Sequence, residues 1–304
     1  MFLASMTAAV PVAAAGKRIG VSRISVLTDE VASTPSDAID FALQYGLKWV
    51  ELRNVPGERR SYAYLPEAEL RAAAKELSAA GLRVSFLNTG MLKYGLPGTE
   101  LARRRPETPE QRSKRLAYEQ HEFDNRIETL KKSIRAAHIL GVDKVRVFAF
   151  LRVAEPRPLF QRIADIIGEM AEIAGKEKIQ LLLENEASCN VATSEETAEI
   201  LKLLPARWVG VNWDPHNAFA LNERPFPDGY EMLPKARIGN VQMKAKTLLK
   251  EWEPENLDWG AIFAALARDG YKGQVGLETH IFDGRLIQSA HLSMKEILRI
   301  VRPS

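Results

Sequence analysis

The chain has a single cysteine, Cys189, among 304 residues. That excludes an intrachain disulfide and any metal site built on a cysteine cluster. Long apolar runs are also missing. Nothing approaches the roughly 18 residues of a membrane span, so no stable membrane insertion is expected. Neither sign of charge dominates: 42 Lys and Arg face 39 Asp and Glu, a net charge of +3. That balance is too even for a nucleic-acid platform, whose basic residues gather on one face. No composition break marks a second globular domain, and a hydrophobic content of 46% suffices for one large core.

One segment stands apart. Met1 to Ala15 (MFLASMTAAVPVAAA) is apolar and uncharged, and ends in three alanines before Gly16-Lys17-Arg18. This is the pattern of the hydrophobic region and small-residue cleavage site of a secretory signal. Its basic n-region is missing, and Phe2-Leu3-Ala4-Ser5 resembles the stretch just after the twin arginines of Tat signals. We read residues 1–15 as a Tat-like signal-peptide remnant and residues 16–304 as the mature domain. A periplasmic or exported protein is expected, with a cytoplasmic one as the alternative if the segment is only an alanine-rich tail.

The remainder alternates short apolar runs with helical patterns. The runs are Ile19 to Leu27, Trp49 to Arg53, Arg83 to Asn88, Asp143 to Phe150, Ile179 to Glu186, Trp208 to Asp214, Ile238 to Lys244 and Gly273 to Thr279. Thr34-Pro35-Ser36-Asp37 and Thr193-Ser194-Glu195-Glu196 are helix starts, and Gly46, Gly81, Gly141 and Gly270 are helix stops. Continuous rather than alternating apolar runs suit a parallel sheet covered on its outer face. Eight such β–α units predict a single (β/α)8 TIM barrel. A polar insert, Gly90 to about Glu122, comes after the third strand. It reads equally as a lid or as a solvated helix start.

Active sites of such barrels lie at the C-terminal ends of the strands. The polar residues there are Glu184 on the fifth strand, Asp214 on the sixth, Gln242 and Lys244 on the seventh and Glu278 on the eighth. Glu51 and Asn88 come from the second and third. Any one acid alone reads as half of a surface salt bridge. Three carboxylates around one mouth repel unless a cation or protons compensate, and an oxygen-rich set suits Mg²⁺ or Mn²⁺.

Four segments carry a family resemblance: LLLENE (Leu181 to Glu186), GVNWDPHNA (Gly210 to Ala218), GNVQMKAK (Gly239 to Lys246) and GYKGQVGLE (Gly270 to Glu278), the last preceded by Leu257-Asp258-Trp259. Together they resemble the xylose-isomerase-like TIM-barrel superfamily, which includes ketose 3-epimerases and inosose dehydratases. The resemblance implies one divalent cation on Glu184, Asp214, Gln242 and Glu278, with Mn²⁺ or Mg²⁺ favoured over Co²⁺ or Zn²⁺. Two departures stand out. The family's strand-seven pattern is His-x-Lys-Asp, whereas this chain has Gln242-Met243-Lys244-Ala245. After the strand-six Asp the family often has His three positions on, where this chain has Asn217, with His216 one position earlier.

The resemblance implies a sugar isomerase or epimerase acting through an enediolate, with Glu184 and Glu278 exchanging the α-proton. His216, Asn217, Lys244, His280, Glu51 and Asn88 are expected to contact the carbohydrate substrate, and Trp213 or Trp252 to wall the sugar ring. Two alternatives share the scaffold: a sugar dehydratase or lyase, and a non-catalytic sugar-binding barrel. Homo-oligomerisation is open. A nuclease of the endonuclease IV type needs many histidines for three zinc ions. This chain has five, His121, His138, His216, His280 and His291, and its charge does not favour DNA.

Overall fold

The computed structural model describes residues 18–102 and 106–302; the signal-like segment Met1 to Ala15 lies outside them. Eight strands form the barrel: β1 (Ile24–Val26), β2 (Trp49–Leu52), β3 (Arg83–Leu87), β4 (Lys144–Val147), β5 (Gln180–Glu184), β6 (Val209–Trp213), β7 (Ile238–Lys244) and β8 (Gln274–Glu278). All pair in parallel in the order β1-β8-β7-β6-β5-β4-β3-β2. A parallel bridge between Leu27 and Glu51 brings β2 beside the end of β1, so the ring is nearly closed. The helices around it are α1 (Pro35–Gln44), α2 (Glu67–Ala79), α3 (Pro109–Asp124), α4 (Arg126–Leu140), α5 (Phe160–Lys176), α6 (Ser194–Leu201), α7 (Pro215–Phe219), α8 (Tyr230–Met232), α9 (Trp259–Arg268) and α10 (Leu286–Val301). None is long and apolar enough to cross a membrane.

Local chemistry sets these boundaries. The Thr34 side chain accepts the Asp37 amide at the start of α1, with Pro35 in the first turn, where its missing N–H costs nothing. Thr193 and Glu196 close a reciprocal capping box on α6. Gly141 stops α4 at φ 69°, a backbone conformation that glycine reaches without strain. On α5, Phe160, Ile163, Ala164, Ile167, Met170, Ala171 and Ala174 recur at helical spacing, and all are buried against the barrel wall.

Three boundaries differ from the sequence reading. The first strand is only three residues long because Val21–Arg23 forms a tight turn. The fourth ends at Val147, and Phe150 beyond it takes φ 57°. The helix before the fourth strand is two helices, α3 and α4, meeting at Asn125. The first part of the insert after β3 is packed, with Met91, Leu92, Tyr94 and Leu96 buried, whereas most of the described residues from Pro97 to Glu122 are exposed. Leu101 bridges Val153, and the Ala102 amide donates to the Arg152 carbonyl at 2.8 Å. Together with the segments after β4 and β5 it walls a groove of about 880 Å³ that also touches Glu186 and Ser188.

Candidate active site

Side chains alternate along a strand, so Asn240, Gln242 and Lys244 of β7 share the barrel interior while Val241 and Met243 face the helices. All three polar residues are buried. The same rule places Asn212 and Asp214 inside and puts Trp213 outside, fully buried with its ring 5.2 Å from that of Tyr230. Trp213 is therefore a core residue and not a wall for a sugar.

The deepest polar layer centres on Glu51. Its Oε1 accepts from Ser25 Oγ (2.9 Å) and Asn240 Nδ2 (3.1 Å), and its Oε2 from Asn88 Nδ2 (3.0 Å) and Gln242 Nε2 (2.8 Å). Burial pushes the Glu51 carboxyl upward, and these four hydrogen bonds oppose the push. Both Glu51 and Asn88 are fully buried, and both Glu51 oxygens are taken by internal donors. Asn240 Nδ2 also donates to Asn212 Oδ1 (3.0 Å), and Asn212 Nδ2 donates to Glu184 Oε2 (2.5 Å). Arg146 Nη1 donates to the same oxygen at 3.0 Å. A continuous polar chain thus crosses the barrel from β2 to β4.

Nearer the mouth, Lys244 Nζ lies 2.8 Å from Asp214 Oδ2, 2.8 Å from Asn217 Oδ1 and 3.9 Å from Glu278 Oε2. Asp214 Oδ1 accepts the Asn217 amide and caps α7. Glu278 Oε1 is 3.2 Å from Arg53 Nη1, and the same guanidinium reaches Glu30 Oε1 (2.7 Å) and Asp29 Oδ2 (2.9 Å). His280, with φ 54°, stands on the rim; its Nδ1 is 3.7 Å from Glu30 Oε1 and 3.8 Å from Glu278 Oε1. Among the described residues Glu30, Glu278 and His280 form a group whose ligand atoms lie within 4.8 Å of one another. His216 is turned aside, its Nε2 2.6 Å from Glu255 Oε2.

The structure therefore gathers Asp214, Asn217, Lys244 and Glu278 at one level, and Gln242, Glu51 and Asn88 at the level beneath. Glu184 is drawn toward Arg146, and His216 toward Glu255. Five charged partners of these residues escaped the sequence reading: Arg53, Arg146, Asp29, Glu30 and Glu255. For two of them a signal existed. Arg53 lies two residues after Glu51, and Arg146 is the one charge inside VRVFAF, so period two places each on the inner face.

The two candidate proton carriers are pushed in opposite directions. Burial raises Glu184 to about 7, with Arg146 opposing and the Glu278 and Asp214 charges adding. Burial would raise Glu278 as well, but Lys244 and then Arg53 outweigh it and hold the carboxyl low. Opposed carboxyls in one site are the usual arrangement of an acid and a base.

The fit of a cation can be judged from the donor set. Gln242 Oε1 and Glu278 Oε2 are buried and accept no hydrogen bond, whereas Asp214 Oδ2 is met by the Lys244 ammonium at 2.8 Å. Buried oxygens without donors are rare and call for a partner. Three carboxylates and one amide oxygen are the donor chemistry that suits Mg²⁺ or Mn²⁺, with Asp214 paired to Lys244, Glu184 to Arg146 and Glu278 to Arg53.

The sequence-family model described as xylose isomerase-like TIM barrel matches residues 39–302. Among solved structures, the chain is similar to an IolI protein with a binding zinc atom (15% identity, 92% of this chain and 98% of the other, TM-score 0.67). It is also similar to L-ribulose 3-epimerase (19%, 91% and 92%, TM-score 0.62) and to a probable 3-DHS dehydratase from Bacillus anthracis (16%, 90% and 98%, TM-score 0.63). At these identities the likeness is one of fold. No curated protein matches the chain by sequence.

Proposed function

The chain belongs to the xylose isomerase-like TIM-barrel family, and on that premise we propose that it is a sugar isomerase or epimerase that moves a proton on the carbon beside a carbonyl. The observation that carries this reading is the pair Glu184 and Glu278, two buried carboxyls in one barrel mouth, of which burial pushes Glu184 upward while Lys244 and Arg53 hold Glu278 low. In this reading Glu278, kept ionised by Lys244 and Arg53, takes the α-proton. Glu184, whose proton affinity burial raises, returns one from the other side. Lys244 binds a substrate hydroxyl and Asn217 fixes its ammonium. Glu184, Asp214, Gln242 and Glu278 would hold Mn²⁺ or Mg²⁺, which supplies Lewis-acid polarisation of the carbonyl when bound. The sugar-acting neighbours support a carbohydrate substrate, and the apolar Met1 to Ala15 segment supports an exported protein.

The test is solvent deuterium uptake into a panel of sugars and keto-sugars in D₂O with Mn²⁺. Exchange is expected in the wild type and absent in Glu278→Gln, whose fold is checked by circular dichroism. A dehydratase would show the same proton abstraction and then loss of water, seen as a mass decrease in the product. No exchange with any substrate and saturating Mn²⁺ would sink the enzyme reading in favour of a binding barrel.

A further inference from the structure

We infer that Glu51 is a positioning residue that fixes Gln242 Oε1 as the strand-seven ligand of the cation, an inference that rests on the proposed cation site. Gln242 stands where the strand-seven pattern has an imidazole. An amide is a poorer ligand in one particular respect: its two ends are nearly the same shape, and only one carries a lone pair. A glutamine free to rotate would present its NH₂ to a cation much of the time. In this barrel the choice is made by the layer beneath. Gln242 Nε2 donates to Glu51 Oε2 at 2.8 Å and lies 3.4 Å from Asn88 Oδ1, so two acceptors meet one end of the amide.

Turning the amide over would place Oε1 against the Glu51 carboxylate and give up both hydrogen bonds. The network thus assigns the orientation on chemical grounds. It leaves Gln242 Oε1 fully buried with no hydrogen-bond donor.

The rest of the network serves the same end. Ser25, Asn240 and Asn88 donate to Glu51, and no described side chain accepts from it. A carboxylate saturated in this way is held in one rotamer and shows an acceptor face to Gln242. This is how partners behind a metal ligand ordinarily work, by fixing the ligand's orientation. A buried anion here also lends negative potential to a cation above it. Glu51 acts through Gln242 and touches neither cation nor substrate, so its effect appears in metal affinity.

Mn²⁺ titration, read by the paramagnetic resonance of the free ion, tests this on the full chain without substrate. Wild type is expected to bind. Gln242→Leu, which removes the oxygen, and Glu51→Gln, which removes the demand for a donor, should each weaken binding about ten-fold or more. The double change Glu51→Gln/Gln242→Glu exchanges carboxylate and amide between the two positions. It should restore affinity to near the wild-type value, because the carboxylate at 242 then has an oxygen facing each way. Recovery in the exchange variant beyond that of Gln242→Glu alone, in which two carboxylates face each other, is a readout that a merely structural Glu51 would not give.

Unchanged Mn²⁺ affinity in Glu51→Gln, or an exchange variant as weak as the single one, overturns the positioning role. Should Glu51→Gln fail to fold, judged by thermal melting without metal, Gln242→Leu and the exchange variant still decide it. If the wild type binds no Mn²⁺, the cation reading falls and this role with it. Wild-type binding with unchanged Glu51→Gln removes the role alone.

Discussion

Glu51 Oε1 occupies the space that a side chain at position 276 would fill: a Cβ on Gly276 would lie 2.0 Å from it. β8 therefore has to carry glycine opposite the β2 carboxylate. The neighbouring atom is a hydrogen-bonded carboxylate and not the loose end of a flexible chain, so it cannot easily give way. Gly276→Ala is expected to destabilise the fold by about 1–3 kcal/mol, as overpacking of a filled core does. It should also weaken Mn²⁺ binding, since the displaced Glu51 loses its grip on Gln242. Urea unfolding and Mn²⁺ titration of the variant read the two effects. A variant as stable as wild type would show that the carboxylate has another place to go.

Lys244 should act as the chain's own counter-ion. Its ammonium is buried, and neighbouring carboxylates raise its pKa against the opposing effect of burial. Lys244→Met leaves Asp214 and Glu278 short of a cation. Removing one member of a buried pair costs about 3–5 kcal/mol. Mn²⁺ should recover part of this, because an ion that binds the folded state alone stabilises it. Thermal melts with and without Mn²⁺ are expected to show a larger metal-induced shift in the variant than in wild type. Equal shifts would mean that Lys244 does not compete with the ion.

The rim pair Lys93–Glu186 (2.8 Å) makes stability depend on acid pH. Burial alone would raise Glu186, but Lys93 outweighs it and holds the carboxyl at about 2 against an ordinary 4.5. A carboxyl depressed in the folded state contributes fully above its ordinary value. That contribution fades as the pH falls from about 4.5 toward about 2. Discounted for the partly exposed Lys93, it is on the order of 1–2 kcal/mol. Unfolding measured across that window should fall less steeply with acid in Glu186→Gln than in wild type. Parallel curves would assign the acid sensitivity to other groups.

Export of the protein has a direct test. The mature chain is expected outside the cytoplasm, with its first residue near Gly16, as read by mass spectrometry of protein recovered from fractionated source cells. A cytoplasmic protein that keeps Met1 to Ala15 would rule the signal reading out.

The alternation of apolar runs with capped helices was legible in the sequence because its causes are local. Thr34 caps α1 through a residue three positions on, Gly141 stops its own helix, and a strand covered on its outer face must be apolar along its length. The same locality made the inward list readable, since period two carries Asn240, Gln242 and Lys244 to one face. What those residues do there was decided by the tertiary structure. Gln242 takes its orientation from Glu51, 191 residues earlier. Glu184 meets Arg146 from the neighbouring strand, and Glu278 meets Arg53, which also holds Glu30, from across the closure of the ring. A charged side chain pairs with whatever the closed barrel brings within a few ångströms, and no local pattern encodes that distance. Sequence spacing thus determined which groups face the mouth, and barrel closure determined which of them are neutralised and which oxygens are left free.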